Sequence, residues 1–342
     1  MVKTLPFHIA IKRLILPELD RNLFSSADWI SVIDHTYRLR IFVKYIEEEG
    51  RVLSYIIYTA VHNFLEDKIC ICSYCDYCDC YVTSPLHWQE LFDTLRKEYP
   101  MYRITVRNLR NEIVRQNPNF QQLSKERFHL LDVRSDLDVV WKKTHDSFKS
   151  AVKQAQKSGV VVRPCLKEDL KRFYDLHLKV RKNKYRLFPQ PYRFFDNIWH
   201  QYMDHDQGIL LGAFDRDNRM IGANIYLMCG NMLYYKFNTS QIGTLSLRPN
   251  NILFWEGIKF AKSRKLEFMD LGSSGWEQDG LILFKNHTGA QMSEIIHLGF
   301  TPPNYQFSNK IILKILTRFF TNPWMPDIFL RWGSRWIYPY LA

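Results

Sequence analysis

Between residues 208 and 238 the chain carries three consecutive strand patterns, at 208–214, 219–228 and 231–238. The first two are joined by Asp215-Arg216-Asp217-Asn218, a run of turn formers. A helical pattern at 250–264 then crosses to one further strand at 267–271. A short helix at 281–286 and a strand at 290–298 follow. Before the meander lie helical patterns at 136–158, 166–182 and 192–204. The first of these ends at Gly159, a suitable left-handed cap. Helices, a meander, then a helix crossing to one more strand is an α+β order.

Residues 22–135 read as mixed helix and strand. Strands are expected at 40–46 and 52–61 around the Glu-Glu-Glu-Gly turn, an amphipathic helix at 85–97 and a strand at 102–106. A chain of 342 residues has room for two domains. With 46% apolar and 24% charged residues it is neither collagen-like, disordered nor a disulfide scaffold. The expected division is 1–137, 138–307 and a tail, 308–342. No run of about 18 apolar residues exists, so no spanning helix is expected. The N-terminus has no small-residue cleavage site, and the expected location is cytoplasmic.

The net charge of +12 is concentrated. Residues 141–186 hold fourteen basic against four acidic residues, and 308–342 hold five against one. Such blocks favour polyanions: RNA, phosphorylated sugars or anionic lipid. Lys149, Lys153 and Lys157 recur on one helix face, while Phe148, Val152 and Ala155 lie opposite and should face a core. Cys70, Cys72, Cys75, Cys78 and Cys80 cluster, but no second ligand pair or nearby His pair accompanies them. They read as buried thiols of a strand and turn, and no metal is expected.

Residues 231–290 contain YYKFNTS, a Pro-Asn start to a Trp-containing helix, a strand ending Asp-Leu-Gly, a Gly-Leu-x-x-Phe-Lys helix and a closing Gly. Upstream stand THDSFKSAVKQAQKSGV and FYDLHLKVRKNK. Together these resemble the Fem-type branch of the GNAT acyltransferase superfamily, which includes the peptidoglycan-bridge aminoacyltransferases and related acetyltransferase domains. The resemblance covers about 20–300. It implies tandem GNAT-like domains, the first degenerate, with the acceptor bound between them and an acyl group passing from a thioester or aminoacyl-tRNA to an amine. No permanently bound cofactor is implied; the co-substrate would be aminoacyl-tRNA or acetyl-CoA.

One departure bears on the donor. CoA-dependent GNAT enzymes cradle pyrophosphate on a glycine-containing loop at a helix N-terminus. Here the loop reads Arg248-Pro249-Asn250-Asn251-Ile252-Leu253, with no glycine. That favours aminoacyl-tRNA or another activated acyl group over acetyl-CoA.

The resemblance places Lys285 near the reacting carbonyl and Asp270 where it could orient an amine or accept its proton. Arg248, Asn250, Asn251, Lys149 and Lys153 become donor-binding candidates. Tyr235, Arg181, Arg186, Asp76 and Tyr77 become acceptor-binding candidates. For each, a structural role in core, cap or surface remains open. His177, on the apolar side of its helix, reads as a core histidine.

In the tail, Lys310, Lys314 and Arg318 form a basic stripe amid aliphatic and aromatic residues. After Pro323 come Asp327, Arg331 and Arg335 with Trp324, Trp332 and Trp336. This suits a helix lying on an anionic membrane, or a helical hairpin packed on the protein. The expected function is transfer of an aminoacyl or acyl group to an amine of a cell-envelope precursor, at the inner face of the plasma membrane if the tail is interfacial. The alternatives are an acetyl-CoA-dependent N-acetyltransferase of an amino sugar or peptide, and a non-catalytic membrane-surface binding protein on the same scaffold.

Overall fold

A computed structural model describes residues 1–63, 66–303, 305 and 310–341, with the backbone alone at 310, 312, 340 and 341. The start of the expected tail at 308–309 and the Lys310 side chain therefore lie outside the described residues.

In chain order the elements are β1 Val2–Pro6, α1 Phe7–Arg13, α2 Ala27–Tyr37, β2 Ile41–Glu48, β3 Arg51–His62, β4 Asp67–Ile71, α3 Pro85–Glu98, β5 Arg103–Asn108, α4 Glu112–Arg115 and β6 Gln121–Asp132. Then follow α5 Leu137–Lys143, α6 Asp146–Lys157, β7 Val161–Pro164, α7 Leu170–Val180, α8 Tyr192–Ile198, β8 Gly208–Phe214, β9 Met220–Cys229 and β10 Met232–Ser240. The chain closes with α9 Pro249–Ser263, β11 Phe268–Ser274, α10 Asp279–His287, β12 Gln291–Phe300, α11 Lys310–Phe320 and α12 Asp327–Ile337.

Two compact units divide the chain. The first holds Met1–Glu126, Glu294–Lys314 and Pro339–Ala342; the second holds Arg127–Ser293 and Ile315–Tyr338. The division falls inside β6 and β12 rather than at the 137/138 boundary that the helix start suggested. The reason is strand pairing: Ile296–Phe300 of β12 ladder antiparallel onto Ile104–Asn108 of β5 in the first unit.

Each unit repeats one plan. In the first, β2, β3 and β4 form an antiparallel meander, α3 crosses over, and β5 returns parallel to β4. In the second, β8, β9 and β10 form the meander, α9 crosses over, and β11 returns parallel to β10. An antiparallel strand flanks each returning strand, β12 beside β5 and β6 beside β11. The fold is α+β with two such modules in tandem.

The local signals act as physical chemistry dictates. Ser84 caps α3 by accepting from His87 N at 3.1 Å, with Pro85 in the first turn. Gly159 ends α6 at φ +78°. Phe148, Val152 and Ala155 are buried on its inner side, against Phe254 of α9. The expected helix at 136–158 is two helices. Thr144 turns extended, its hydroxyl bonds Trp141 O at 2.8 Å, and the His145 ring caps the new start at Ser147 N. The helices at 166–182 and 192–204 each finish in a wider π turn, Arg181–Tyr185 and Trp199–Met203.

Close approach of α9 to β9 depends on Gly257. A Cβ there would sit 2.4 Å from the Tyr226 hydroxyl, itself fixed by Asn224 Nδ2 and Leu253 O. Gly257→Ala should destabilise the second unit by about 2 kcal/mol, seen as a fall of several degrees in melting temperature.

His177 is buried, with Nε2 2.9 Å from Gln190 Oε1 and aromatic rings of Phe173, Phe195 and Phe237 around it. The core reading of this residue holds. Burial, with Arg181 second, pushes its imidazole down to about 3. Between pH 6.5 and about 3 the unfolded chain binds a proton that the fold refuses, so stability falls as pH drops. The slope should be on the order of 1.4 kcal/mol per pH unit, with no contribution above pH 6.5. His177→Gln should flatten the pH dependence of melting between pH 6.5 and 5.

Candidate active site

In the second unit β10 and β11 ladder together only over Met232–Tyr234 and Phe268–Asp270. Both strands continue, β10 to Ser240 and β11 to Ser274, so past that point their facing edges diverge into a wedge. Two irregularities open it. The β10 register against β9 shifts between Tyr235 and Phe237, and the β11 register against β6 shifts between Asp270 and Ser273.

The second shift turns on Gly272, at φ +69°. Asp270 Oδ1 accepts from its N–H at 2.7 Å. From the other side, Lys285 Nζ donates to Gly272 O and Ser273 O, both at 2.9 Å, and to Ser274 Oγ at 2.7 Å. Asp270, Ser274 and Lys285 are all buried. The two residues expected to do chemistry thus meet at one glycine, and α10 exists in a position to deliver the lysine.

His129 of β6 completes this cluster. Phe128 pairs Ser273 and Leu130 pairs Asp270, so His129 stands opposite the bulge. It is fully buried, with Nε2 2.9 Å from Asn286 Oδ1, and burial pushes its imidazole below the ordinary range. The sequence offered no signal for it, since β6 itself has too polar a first half to read as a strand. A second imidazole group also escaped notice. His145 and His287 stack at 4.1 Å, and Ser147 Oγ bridges their Nδ1 atoms at 2.8 and 2.9 Å.

Tyr235 is half-buried where the wedge opens, packed on Tyr226 and Phe254; burial raises its hydroxyl pKa. Beyond it, at the end of β10, a cavity of about 260 Å³ is lined by Leu176, Lys179 and Val180 of α7, Asn183, and Gln241 and Ile242.

The loop before α9 is closed on itself. Arg248 adopts φ +56° and its Nε donates to Gln154 Oε1 at 3.2 Å. Pro249 begins the helix and has no N–H. Asn251 N and Ile252 N both donate to Arg248 O, at 3.2 and 3.4 Å. Asn250 Oδ1 accepts from Asn238 Nδ2 at 3.1 Å, and Asn250 Nδ2 faces Ser240 Oγ at 3.4 Å. Of the N–H groups at this helix start, Pro249 has none, and those of Arg248 (to Leu245 O at 3.1 Å) and Asn251 are already bonded within the loop.

The remaining candidates have separate places. On α6, Lys149 binds Asp146 Oδ1 and Lys142 O, and Lys153 is exposed. Arg181 Nε and NH2 donate to Phe188 O at 3.2 and 3.0 Å, and burial lowers its pKa. Arg186 NH1 donates to Thr321 O at 2.8 Å. The structure thus engages both arginines in backbone carbonyls, outside the Asp270–Lys285 cluster. Asp76 and Tyr77 belong to the first unit, where Tyr77 packs edge-on to Phe24.

Among the described residues of the first unit, the matching space is filled. Past the short β4–β5 ladder, Cys78 N donates to Arg107 O of β5 at 2.6 Å, and Asp79 Oδ1 accepts from Leu109 N and Arg110 N. The cysteine segment plugs the gap. Cys72, Cys75, Cys78 and Cys80 are buried, with Cys72 and Cys78 sulfurs 2.7 Å apart. Among the described residues no group of His, Cys, Asp or Glu is arranged to hold a metal ion.

Residues 142–278 match the family model of the acetyltransferase (GNAT) domain. No curated protein matches the chain by sequence. Among solved structures, FemX is 14% identical with a TM-score of 0.64, covering 88% of this chain and 98% of its own. A tandem GNAT protein from the clavulanic acid biosynthesis pathway is 8% identical with a TM-score of 0.55, covering 90% and 100%. L-PGS from Bacillus licheniformis is 11% identical with a TM-score of 0.52, covering 85% and 92%. The fold is the tandem GNAT fold, and the acetyltransferase domain matched at residues 142–278 marks the chain as an acyltransferase.

The lysine clamp has a measurable consequence. Lys285→Met leaves the buried Gly272 and Ser273 carbonyls without their donor, and should cost about 3 kcal/mol. A denaturant midpoint equal to the wild type would show that Nζ does not hold the bulge.

Proposed function

We propose that this protein transfers an aminoacyl group from aminoacyl-tRNA to an amine of a cell-envelope precursor, using the wedge of the second unit. The closed loop at Arg248–Ile252 is the observation that carries the donor preference. A CoA pyrophosphate needs free backbone N–H groups at that helix start, and Pro249, which has none, together with the Arg248 carbonyl, which takes that of Asn251, removes two of them. An aminoacyl-tRNA brings a polyanion instead, and the exposed face of α6 with Lys153 and Lys157 offers a matching charge.

In this reading the protein contributes position and field more than covalent chemistry. The donor carbonyl lies between the diverging strands, so that its developing oxyanion faces donors held at fixed distance. Lys285, pinned by three acceptors, supplies a preorganised positive charge behind Gly272–Ser274. Asp270 orients the acceptor ammonium and takes its proton, so that the neutral amine attacks the carbonyl and the ribose oxygen of the tRNA leaves with a proton. Neutral His129, opposite the bulge, is a second group through which the proton could leave. Tyr235 and the cavity beside Lys179 and Asn183 would hold the acceptor.

The GNAT domain match favours one alternative, acetyl transfer from acetyl-CoA to an amino sugar or peptide. Thermal-shift titration separates the two. A ligand present at about 100 times its Kd should stabilise the fold by about 2.7 kcal/mol. Aminoacyl-tRNA should raise the melting temperature in a salt-dependent manner and acetyl-CoA should leave it unchanged; the converse would establish the acetyltransferase. Asp270→Asn preserves the oxygen that caps Gly272 N. It should leave the folding free energy within about 1 kcal/mol of wild type while lowering kcat by about 100-fold or more.

A further inference from the structure

The two tail helices divide their residues between protein and solvent by chemistry. The inner side of α12 is committed to the second unit. Leu330 is fully buried, and a Cβ at Gly333 would lie 3.2 Å from Phe188 and Phe320. Three polar ties fix the pair of helices. Arg331 NH2 meets Asp175 Oδ1 at 2.5 Å, Lys182 Nζ meets Met325 O at 2.6 Å and Asp327 Oδ1 at 2.8 Å, and Arg186 holds Thr321 O. These contacts use up the single acidic side chain of residues 310–342 and one of its arginines.

The outer side is of a different composition. Ile315 and Phe319 follow one another at four-residue spacing on α11, and Ile328, Trp332 and Trp336 do so on α12. All five are more than half exposed, and Trp324, between the helices, is 92% exposed. Arg318 and Arg335 stand exposed beside these stripes, and the one acidic residue of 310–342, Asp327, is paired with Lys182. Soluble surfaces seldom leave so many large apolar side chains together without a partner.

We propose that the outer face of α11 and α12 docks the protein flat on an anionic lipid bilayer. Three tryptophans among aliphatic side chains match the boundary between headgroup and acyl chain, and the flanking arginines match anionic headgroups. Each helix has 11 residues, about half the length needed to cross a bilayer, so the pair lies on the surface and does not span it. Because the inner face is already anchored, the helices dock without being released from the protein. Such a location would put a lipid-linked acceptor within reach. The docking surface stands on its own residues, whatever the donor is.

Co-sedimentation of the full chain with phosphatidylcholine vesicles, with and without phosphatidylglycerol, tests this without any activity measurement. Binding is expected to the anionic vesicles only, with a blue shift of tryptophan fluorescence, and to weaken with salt. Arg318→Glu with Arg335→Glu should lower the partition coefficient at least about tenfold. Trp324→Ser, Trp332→Ser and Trp336→Ser together should do the same. These positions are exposed, so both variants should keep the wild-type melting temperature, and a variant that does not is replaced by the single Trp324→Ser, expected to give a smaller loss in the same direction. Absence of binding to anionic vesicles, or binding that the tryptophan variant leaves intact, overturns the proposal. So does a stable dimer, by light scattering, that the tryptophan variant dissociates, because a second copy then covers the face.

Discussion

The candidate active site depends on one glycine held from two sides. Gly272 takes a left-handed conformation because its N–H is drawn to Asp270 and its carbonyl to Lys285. That distortion ends the ladder between β10 and β11 three residues after it begins, and leaves a gap in the middle of the second unit's sheet. Burying a lysine is costly unless every donor finds an acceptor. Lys285 finds three, two of them the carbonyls that the bulge would otherwise leave exposed in the core. The charge and the gap are thus one feature, which is why a catalytic reading and a structural reading of Lys285 need not compete.

The comparison of the two units makes the point from the other direction. Both use meander, crossover helix and parallel return strand, and in both the parallel ladder is short. In the first unit the chain after β4 folds back and bonds to β5 through Cys78 and Asp79, filling the space. In the second unit no such segment bridges β10 and β11 past Tyr234 and Asp270 among the described residues. A duplicated scaffold has kept one gap open and stopped the other with its own backbone and thiols.

Much of the second unit was legible beforehand, for reasons that lie in the residues. The β8–β9–β10 meander has clear turn formers between long apolar runs, α9 has Pro249 at its start, and α6 has an apolar side and a capping glycine. The first unit was harder. β1 and β4 are only five residues long, and β6 alternates between polar and apolar halves because it crosses from one unit to the other. Asp270 and Lys285 were singled out by resemblance, but their common partner was not, since nothing in spacing says that both reach Gly272. His129 and the His145–His287 stack lay outside any local pattern. They are made by contacts between residues more than a hundred positions apart.

Sequence alone determined the class of fold, the crowding of positive charge on 141–186 and the tail, and the absence of glycine from Arg248–Leu253. These are local properties, set by side-chain periodicity, backbone freedom and composition. Tertiary structure decided which groups those properties leave available. It turned Arg181 and Arg186 into braces for Phe188 and Thr321, tied the Asn250 side chain to Asn238 and Ser240 of β10, and divided the tail into an anchored face and an exposed one. The reason is that a polar group's availability depends on what it touches, and burial assigns those partners from distant parts of the chain.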